Sequence, residues 1–278
     1  MTRHGDDETR RLFPLSGRPD EHLTLAWAAV TDVGRRRQAN EDSLVALPPV
    51  FAVADGMGGH AAGDLASAAA VDRLAELAGR DGVDHDVVRE ALVRAAHDID
   101  ELAEDLPLGA GTTVTGVVLD LDADEPGFLV FNVGDSRVYS FLGNELTQVT
   151  RDHSVVQELV DSGRLTAAEA EGHPESNVVT RALGFHEVPR PDYWIVPARA
   201  GLRLLVCSDG LTKELDPERI RLHLAARLTA AETAGALVDA ALASGGRDNV
   251  TVVVVDVLDA PEPADSDVYT ESSAGSRG

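Results

Sequence analysis

The sequence predicts an α+β fold in which mainly antiparallel sheets carry helices on their outer faces. Three observations predict it. Short runs rich in β-branched and aromatic residues recur along the chain, as strands require. Helical patterns are grouped between blocks of these runs, which favours antiparallel sheets over strict βαβ alternation. No Gly-rich phosphate loop is present, so neither a dinucleotide-binding nor a P-loop fold fits.

Residues 50–54 (VFAVA) form the first clear strand-like run, apolar throughout and therefore buried. Residues 113–119 (TVTGVVL), 128–133 (FLVFNV) and 136–141 (SRVYSF) follow, and 202–207 (LRLLVC) and 250–257 (VTVVVVDV) complete the set. Gly134 and Asp135, between two of these runs, predict a hairpin. The Ala-rich stretch 61–78 predicts a helix with Leu65, Val71, Leu74, Leu77 and Ala78 near one stripe. Residues 86–102 place Val87, Leu92, Val93 and Ile99 at helical offsets. Asp216-Pro217 reads as an N-cap followed by a first-turn proline. Thr229-x-x-Glu232 and Thr166-x-x-Glu169 match the capping box.

The ends differ from the middle. Residues 1–22 are polar and aperiodic and read as a loose N-terminal arm. Residues 259–278 (DAPEPADSDVYTESSAGSRG) are acidic and Ser-rich, with too little apolar surface to offset their ordering entropy, and are expected to be a disordered tail. Between them, residues 23–258 show no linker and no repeat and are expected to form one domain.

Charge narrows the function. The 278 residues carry 24 Lys+Arg against 48 Asp+Glu, a net charge of −24. Duplex binding depends on Lys and Arg neutralising phosphates, so a nucleic-acid partner is excluded, and so is docking on an anionic membrane. The single cysteine, Cys207, cannot form an internal disulfide and ends an apolar strand, so it reads as a core residue. No signal-peptide core and no run of ~18 apolar residues is present, and a cytoplasmic location is expected.

The acids fall at strand ends. Asp55 follows VFAVA and precedes Gly56-Met57-Gly58, Asp209 follows LRLLVCS and precedes Gly210, and Asp248 precedes Asn249 and the last strand. Asp135 lies between two strands, and Glu41 and Asp42 close RRRQANED. Carboxylates brought together from separate strand ends suit a hard divalent ion such as Mg²⁺ or Mn²⁺, which takes oxygen ligands. Zinc-like Cys and His pairs are missing. Two such ions can activate a water for in-line attack on phosphorus, and Arg37, four residues before Glu41, can hold a phosphate by paired hydrogen bonds. Each element alone has an ordinary reading. An Asp beside Gly is a turn residue, an Arg in the run 35–37 is a solvated charge, and His60 is a bystander in a Gly-rich turn.

Six stretches in order carry more than any one of them: RRRQANED, VFAVADGMGGHAAGDLAS, GTTVTGVVL, NVGDSRVY, LVCSDGLT and GGRDNVTVV. This succession, covering about residues 26–257, resembles the metal-dependent Ser/Thr protein phosphatases of the PPM, or protein phosphatase 2C, family in their bacterial form. The resemblance implies an αββα sandwich of two mostly antiparallel sheets flanked by helix pairs. It implies a flap over about residues 144–184 that helps read the phosphopeptide. It implies a core pair of Mn²⁺ or Mg²⁺ ions bridged by Asp55, with the Gly56 carbonyl, Asp209 and Asp248 as further ligands. Glu41 matches an acid reaching the metals directly or through water, and Asp42 beside it matches a position of less defined role. Asp135 matches a ligand of a third, weaker ion, and Arg37 matches the phosphate-binding arginine. Eukaryotic members place a His two residues after the bridging Asp; here that place is Met57, and His60 becomes the candidate donor to the leaving group.

The implied activity is hydrolysis of phosphoserine and phosphothreonine by a metal-activated water, opposing bacterial Ser/Thr kinases. The expected partners are phosphorylated proteins, namely those kinases and their substrates, and the expected state is a monomer. A non-catalytic phosphoprotein-binding scaffold of the same fold and a stress-response regulator phosphatase are the alternatives. The intact acids speak against the first, and the complete flap region without a sensor domain speaks against the second.

Overall fold

The computed structural model describes residues 1–5, 8–58, 62–107, 109–122, 125–170 and 172–262. Its elements, in chain order, are β1 (Arg3–His4), β2 (Glu8–Leu15), β3 (Arg18–Asp32), β4 (Asp42–Leu47), β5 (Val50–Gly58), α1 (Ala62–Ala75), α2 (His85–Leu102), β6 (Ala110–Thr112), β7 (Val114–Asp120), β8 (Gly127–Val133), β9 (Arg137–Leu142), β10 (Glu145–Gln148), α3 (Val155–Asp161), α4 (Ala167–Ala170), β11 (Leu183–Gly184), β12 (Asp192–Pro197), β13 (Arg203–Cys207), α5 (Asp209–Thr212), α6 (Pro217–Leu224), α7 (Ala230–Ser244) and β14 (Val250–Asp259). One sheet runs β1-β4-β5-β7-β8-β12, with β6 joined to β5 and β11 to β6; the other runs β10-β9-β13-β14-β3-β2. Pairing is antiparallel except between β1 and β4.

The two sheets pack face to face, and strand alternation explains why the strands read as unbroken apolar runs. Along β5, Phe51 and Val53 point into the core between the sheets, while Val50, Ala52 and Ala54 point outward beneath α1 and α2. Along β14, Val253, Val255 and Val257 point inward, while Val250, Val252 and Val254 lie beneath α6 and α7. Both faces of each sheet are therefore covered, giving three apolar layers and the expected αββα sandwich. Trp27 anchors the middle layer edge-on to Phe51, with ring centroids 5.4 Å apart, and donates its indole N–H to the Ala46 carbonyl at 3.1 Å.

The helices start where the caps predict. Thr229 and Glu232 form both bonds of the capping box at α7. Asp216 caps α6 with Pro217 behind it, and Thr166 and Glu169 make the reciprocal bonds at α4. The stripes are shifted slightly. Leu65 and Val93 are exposed, and Val88, Leu92, Ala95 and Ile99 form the buried face of α2.

Two expectations are corrected. Gly134 and Asp135 do not close a hairpin: β8 belongs to the first sheet and β9 to the second, so the chain crosses between sheets there. Gly134 has φ 119, and a Cβ on it would lie 2.5 Å from the Thr113 side chain. The N-terminal arm is not loose either. β2 pairs with β3 as the edge of the second sheet, and the domain's first sheet element begins before residue 23. Phe13 and Leu15 are buried and Leu12 is exposed, the alternation of an edge strand that the four arginines and the prolines of this stretch mask. At the other end β14 runs to Asp259; residues 263–278 of the expected tail lie outside the described residues.

The segment 144–184 leaves the second sheet after β10, forms α3 and α4, and ends at β11, which pairs with β6 of the first sheet. Its base is tied down by His153, whose N–H donates to the Gly134 carbonyl at 2.9 Å and whose carbonyl accepts from Thr180 N–H at 2.8 Å.

Truncating Phe13 to Ala should cost about 3 kcal/mol, because it removes a buried ring packed at a tilt beside Trp27. A urea titration checks this, since a loose arm would leave the midpoint unchanged.

Candidate metal centre

One end of the sandwich collects the strand-end acids. Asp42 opens β4 and Asp55 lies near the end of β5, and the two face each other in register across the strand pair. Asp135 sits on the crossing between sheets, Asp209 begins α5 directly after β13, and Asp248 stands just before β14. Glu41 precedes β4. The loop backbones pack so closely that side chains are excluded: a Cβ on Gly56 would lie 2.0 Å from the Gly63 carbonyl oxygen, and one on Gly210 would lie 1.9 Å from that of Asn249.

Burial and crowding raise the proton affinity of four of these acids. Burial lifts the Asp55 carboxyl well above the ordinary range, and Asp209, Asp42, Asp135 and Asp248 lift it further. Burial pushes Asp42 up to about 7, against the two hydroxyls that hold its ionised form, and Asp209 and Asp248 add repulsion. Asp135 is likewise pushed up to about 7, by burial and then by Asp209 and Asp152. Burial also raises Glu41.

The partners define what each acid can offer. Asp42 is almost fully buried, and its Oδ2 accepts from Ser208 Oγ at 2.8 Å and Thr251 Oγ1 at 2.6 Å, joining the two sheets. Its Oδ1 has no hydrogen-bond partner, and neither do the buried Oδ1 atoms of Asp64 and Asp209. Arg37 donates to Asp248 Oδ2 at 2.9 Å and approaches Glu41 at 3.8 Å. Burial works against the Arg37 charge, but Asp248, Glu41 and Asp55 outweigh it and hold its pKa above the ordinary value. Lys213 reaches Asp209 and, at 3.5 Å, Asp248.

Among the described residues, no three His, Cys, Asp or Glu side chains close on one point tightly enough to enclose an ion as they stand. Asp248 and Asp209 are instead paired with Arg37 and Lys213. The donor set still fits a hard divalent cation. It is all oxygen, mutually repelling, and leaves buried carboxylate oxygens without a hydrogen-bond donor. Of the residues expected from sequence, Arg37, Glu41, Asp42, Asp55, Gly56, Asp135, Asp209 and Asp248 all come to this end of the fold; His60 lies outside the described residues.

Four contributors escaped the sequence reading. Asn249 donates to the carbonyls of Val33 and Ala39 at 2.9 and 3.0 Å and accepts from Glu41 N–H at 2.9 Å, which fixes the loop carrying Arg37. His153 accepts the Gly134 N–H on Nδ1 at 3.1 Å and meets Asp192 through Nε2 at 3.0 Å, steadying the neighbour of Asp135. Lys213 stands four residues after Asp209, one helical turn on, a spacing that could have drawn notice. Asp64 adds repulsion at Glu41.

The protein phosphatase 2C family model matches residues 35–244. The chain belongs to the protein phosphatase 2C family. It is 43% identical over 242 residues to the serine/threonine protein phosphatase PstP of Mycobacterium tuberculosis, covering 85% of this chain and 46% of that protein. This chain therefore spans about half the length of that relative. It is 35% identical over 240 residues to the serine/threonine phosphatase stp of Listeria monocytogenes, covering 81% of this chain and 93% of that one. The crystal structure of the PstP catalytic domain in complex with two manganese ions superposes with a TM-score of 0.77 at 42% identity, covering 85% of this chain and all of that one. The matched span reaches from the Arg37 loop to the end of α7 and so includes every acid of the centre except Asp248, which lies four residues beyond it.

A carboxyl whose native pKa exceeds its unfolded value binds its proton more tightly in the fold. Stability from Asp42 and Asp135 is therefore present at low pH and lost as pH rises from about 4 through about 7, and Asp55, also raised, acts in the same direction. Chelator-treated protein should melt higher at pH 5.5 than at pH 7.5, and Asp42→Asn should flatten that slope. Calorimetric melting across this range checks it. His153, whose burial depresses its pKa, acts in the opposite direction and is common to both proteins.

Proposed function

We propose that this chain is a metal-dependent protein phosphatase acting on phosphoserine and phosphothreonine. The observation that carries the proposal is the ring of strand-end carboxylates with unpartnered buried oxygens, beside a half-exposed arginine. The relative whose catalytic domain was solved with two manganese ions supports a two-ion centre here, filled by Mn²⁺ or Mg²⁺. Asp55, Asp209, Asp248 and the Gly56 carbonyl are proposed to hold the core pair, with Glu41 nearby and Asp135 at a third site. Asp42, held by Ser208 and Thr251, is proposed to support Asp55 from the neighbouring strand.

Such ions, when bound, supply charge for the phosphoryl oxygens and lower the pKa of a water that attacks phosphorus. The chain does the rest. Arg37, with 48% of its side chain exposed, turns from Asp248 toward an incoming phosphate and grips two of its oxygens. The phosphopeptide lies in the groove of about 850 Å³ between the acids and the helices α3 and α4, lined by Val156, Val160, Asn177 and Arg247 among others. His60 is the proposed proton donor to the departing serine or threonine oxygen. A cysteine-based covalent route does not fit, because Cys207 is fully buried and burial pushes its thiol up to about 12. The proposed substrates are phosphorylated Ser/Thr kinases and the proteins they modify. Among the described residues, no helix is long and apolar enough to cross a membrane.

Hydrolysis of a phosphothreonine peptide should require Mn²⁺, stop with EDTA, and fall at least ~100-fold in kcat/KM for Asp209→Asn. Arg37→Ala should lose about 10- to 100-fold in kcat/KM yet still take up Mn²⁺ by calorimetry, since it removes a charged hydrogen-bond donor and no ligand. Phosphate release that persists in EDTA would sink the proposal.

A further inference from the structure

The chain's only lysine, among 24 basic residues, stands in the acid centre. Lys213 ends α5 one turn after Asp209 and places its ammonium against Asp209 Oδ2 and Asp248 Oδ2. These acids come from different segments, one following β13 and one preceding β14, and are two of the proposed metal holders. The lysine compensates them only in part. Asp209 Oδ1 stays buried without a partner, and Asp55 and Asp135 still repel their neighbours despite the nearby ammonium.

An ammonium and a divalent ion cannot share the same carboxylate oxygens, because both need their lone pairs and both are cationic. Lysine is suited to yielding the place. Its compact charge rides on a flexible four-carbon stem, and one third of the Lys213 side chain is exposed, leaving an open path to solvent. Arginine, used everywhere else in this chain, would hold the carboxylates through a planar fork and release them less readily.

We propose that Lys213 is a tethered counter-ion of this centre, which bridges Asp209 and Asp248 in the metal-free protein and is displaced when metal loads. It keeps the empty centre folded and weakens the hold on metal, so that occupancy follows the free ion concentration. This rests on the two-ion reading given above.

The test uses chelator-treated protein, titrated with Mn²⁺ alone in a calorimeter and melted without metal. Lys213→Met, which keeps the stem and removes the charge, should bind at least one Mn²⁺ about tenfold more tightly than the parent and melt several degrees lower without metal. Lys213→Arg, which keeps the charge and holds the carboxylates more firmly, should bind Mn²⁺ no more tightly than the parent. Lys213→Gln serves as the second neutral variant if the Met variant fails to fold. A parent protein that takes up no Mn²⁺ overturns the two-ion reading and this inference together. A parent that binds Mn²⁺, with neutral variants that bind it no more tightly, overturns the inference alone.

Discussion

Mutual repulsion among carboxylates at one end of the sandwich is the constraint around which the rest of this molecule is arranged. Burial raises the proton affinity of Asp42, Asp55 and Asp135, and the neighbouring carboxylates, Asp209 among them in each case, add to it. A cluster like this is costly to fold without compensation. The compensation is local and specific. Ser208 and Thr251 hydrogen-bond Asp42, Arg37 pairs with Asp248, and Lys213 spans Asp209 and Asp248. The stabilising apolar burial lies elsewhere, in the layer between the sheets and the two layers beneath the helices, where Val, Leu, Phe and Ala dominate.

That division explains why sheet geometry matters more than loop sequence for the site. Adjacent strands deliver Asp42 and Asp55 in register, and β13 and β14 deliver Asp209 and Asp248 at the same end of the second sheet. A one-residue slip in either pair would turn the strand's apolar side chains toward the wrong layer. Core packing therefore fixes the acids' positions to within the tolerance of a β-ladder. The Asn249 side chain and the His153 ring then extend that order to the Arg37 loop and to the Asp135 crossing.

Much of this was legible in the sequence because it is local. Apolar runs marked β5, β7, β8, β13 and β14, and the caps at Asp216 and Thr229 marked α6 and α7. Strand-end acids flanked by glycine marked the centre. What escaped was set by partners distant in the chain. β2 hides Phe13 and Leu15 among arginines, and only its pairing with β3 gives the alternation meaning. Gly134 and Asp135 look like a hairpin turn because a turn and a crossing between sheets both need a glycine with positive φ. β12, with Trp194 and Ile195 between prolines, pairs with β8 more than sixty residues earlier and carried no local signal. Asn249 and His153 act across separations of 208 and 19 residues, which spacing alone does not reveal.

The acidity of the whole chain acquires a sharper meaning beside the groove. The proposed phosphopeptide substrate is anionic, and a chain of net charge −24 repels it at long range. The cations lining the groove are already engaged: Arg137 is clasped by Asp152 through bonds of 2.7 to 3.1 Å, Arg247 is bound to Glu214 at 2.9 Å, and Lys213 is held by the acids of the centre. Such paired cations shape the groove and contribute little net positive potential. Arg37, paired with Asp248 yet 48% exposed, is free to exchange one anionic partner for another, as its proposed role requires. Attraction of the proposed substrate thus depends on the electrostatic state of the carboxylate cluster. The same repulsion that destabilises the cluster when uncompensated makes the site's affinity for an anion sensitive to whatever positive charge the cluster holds.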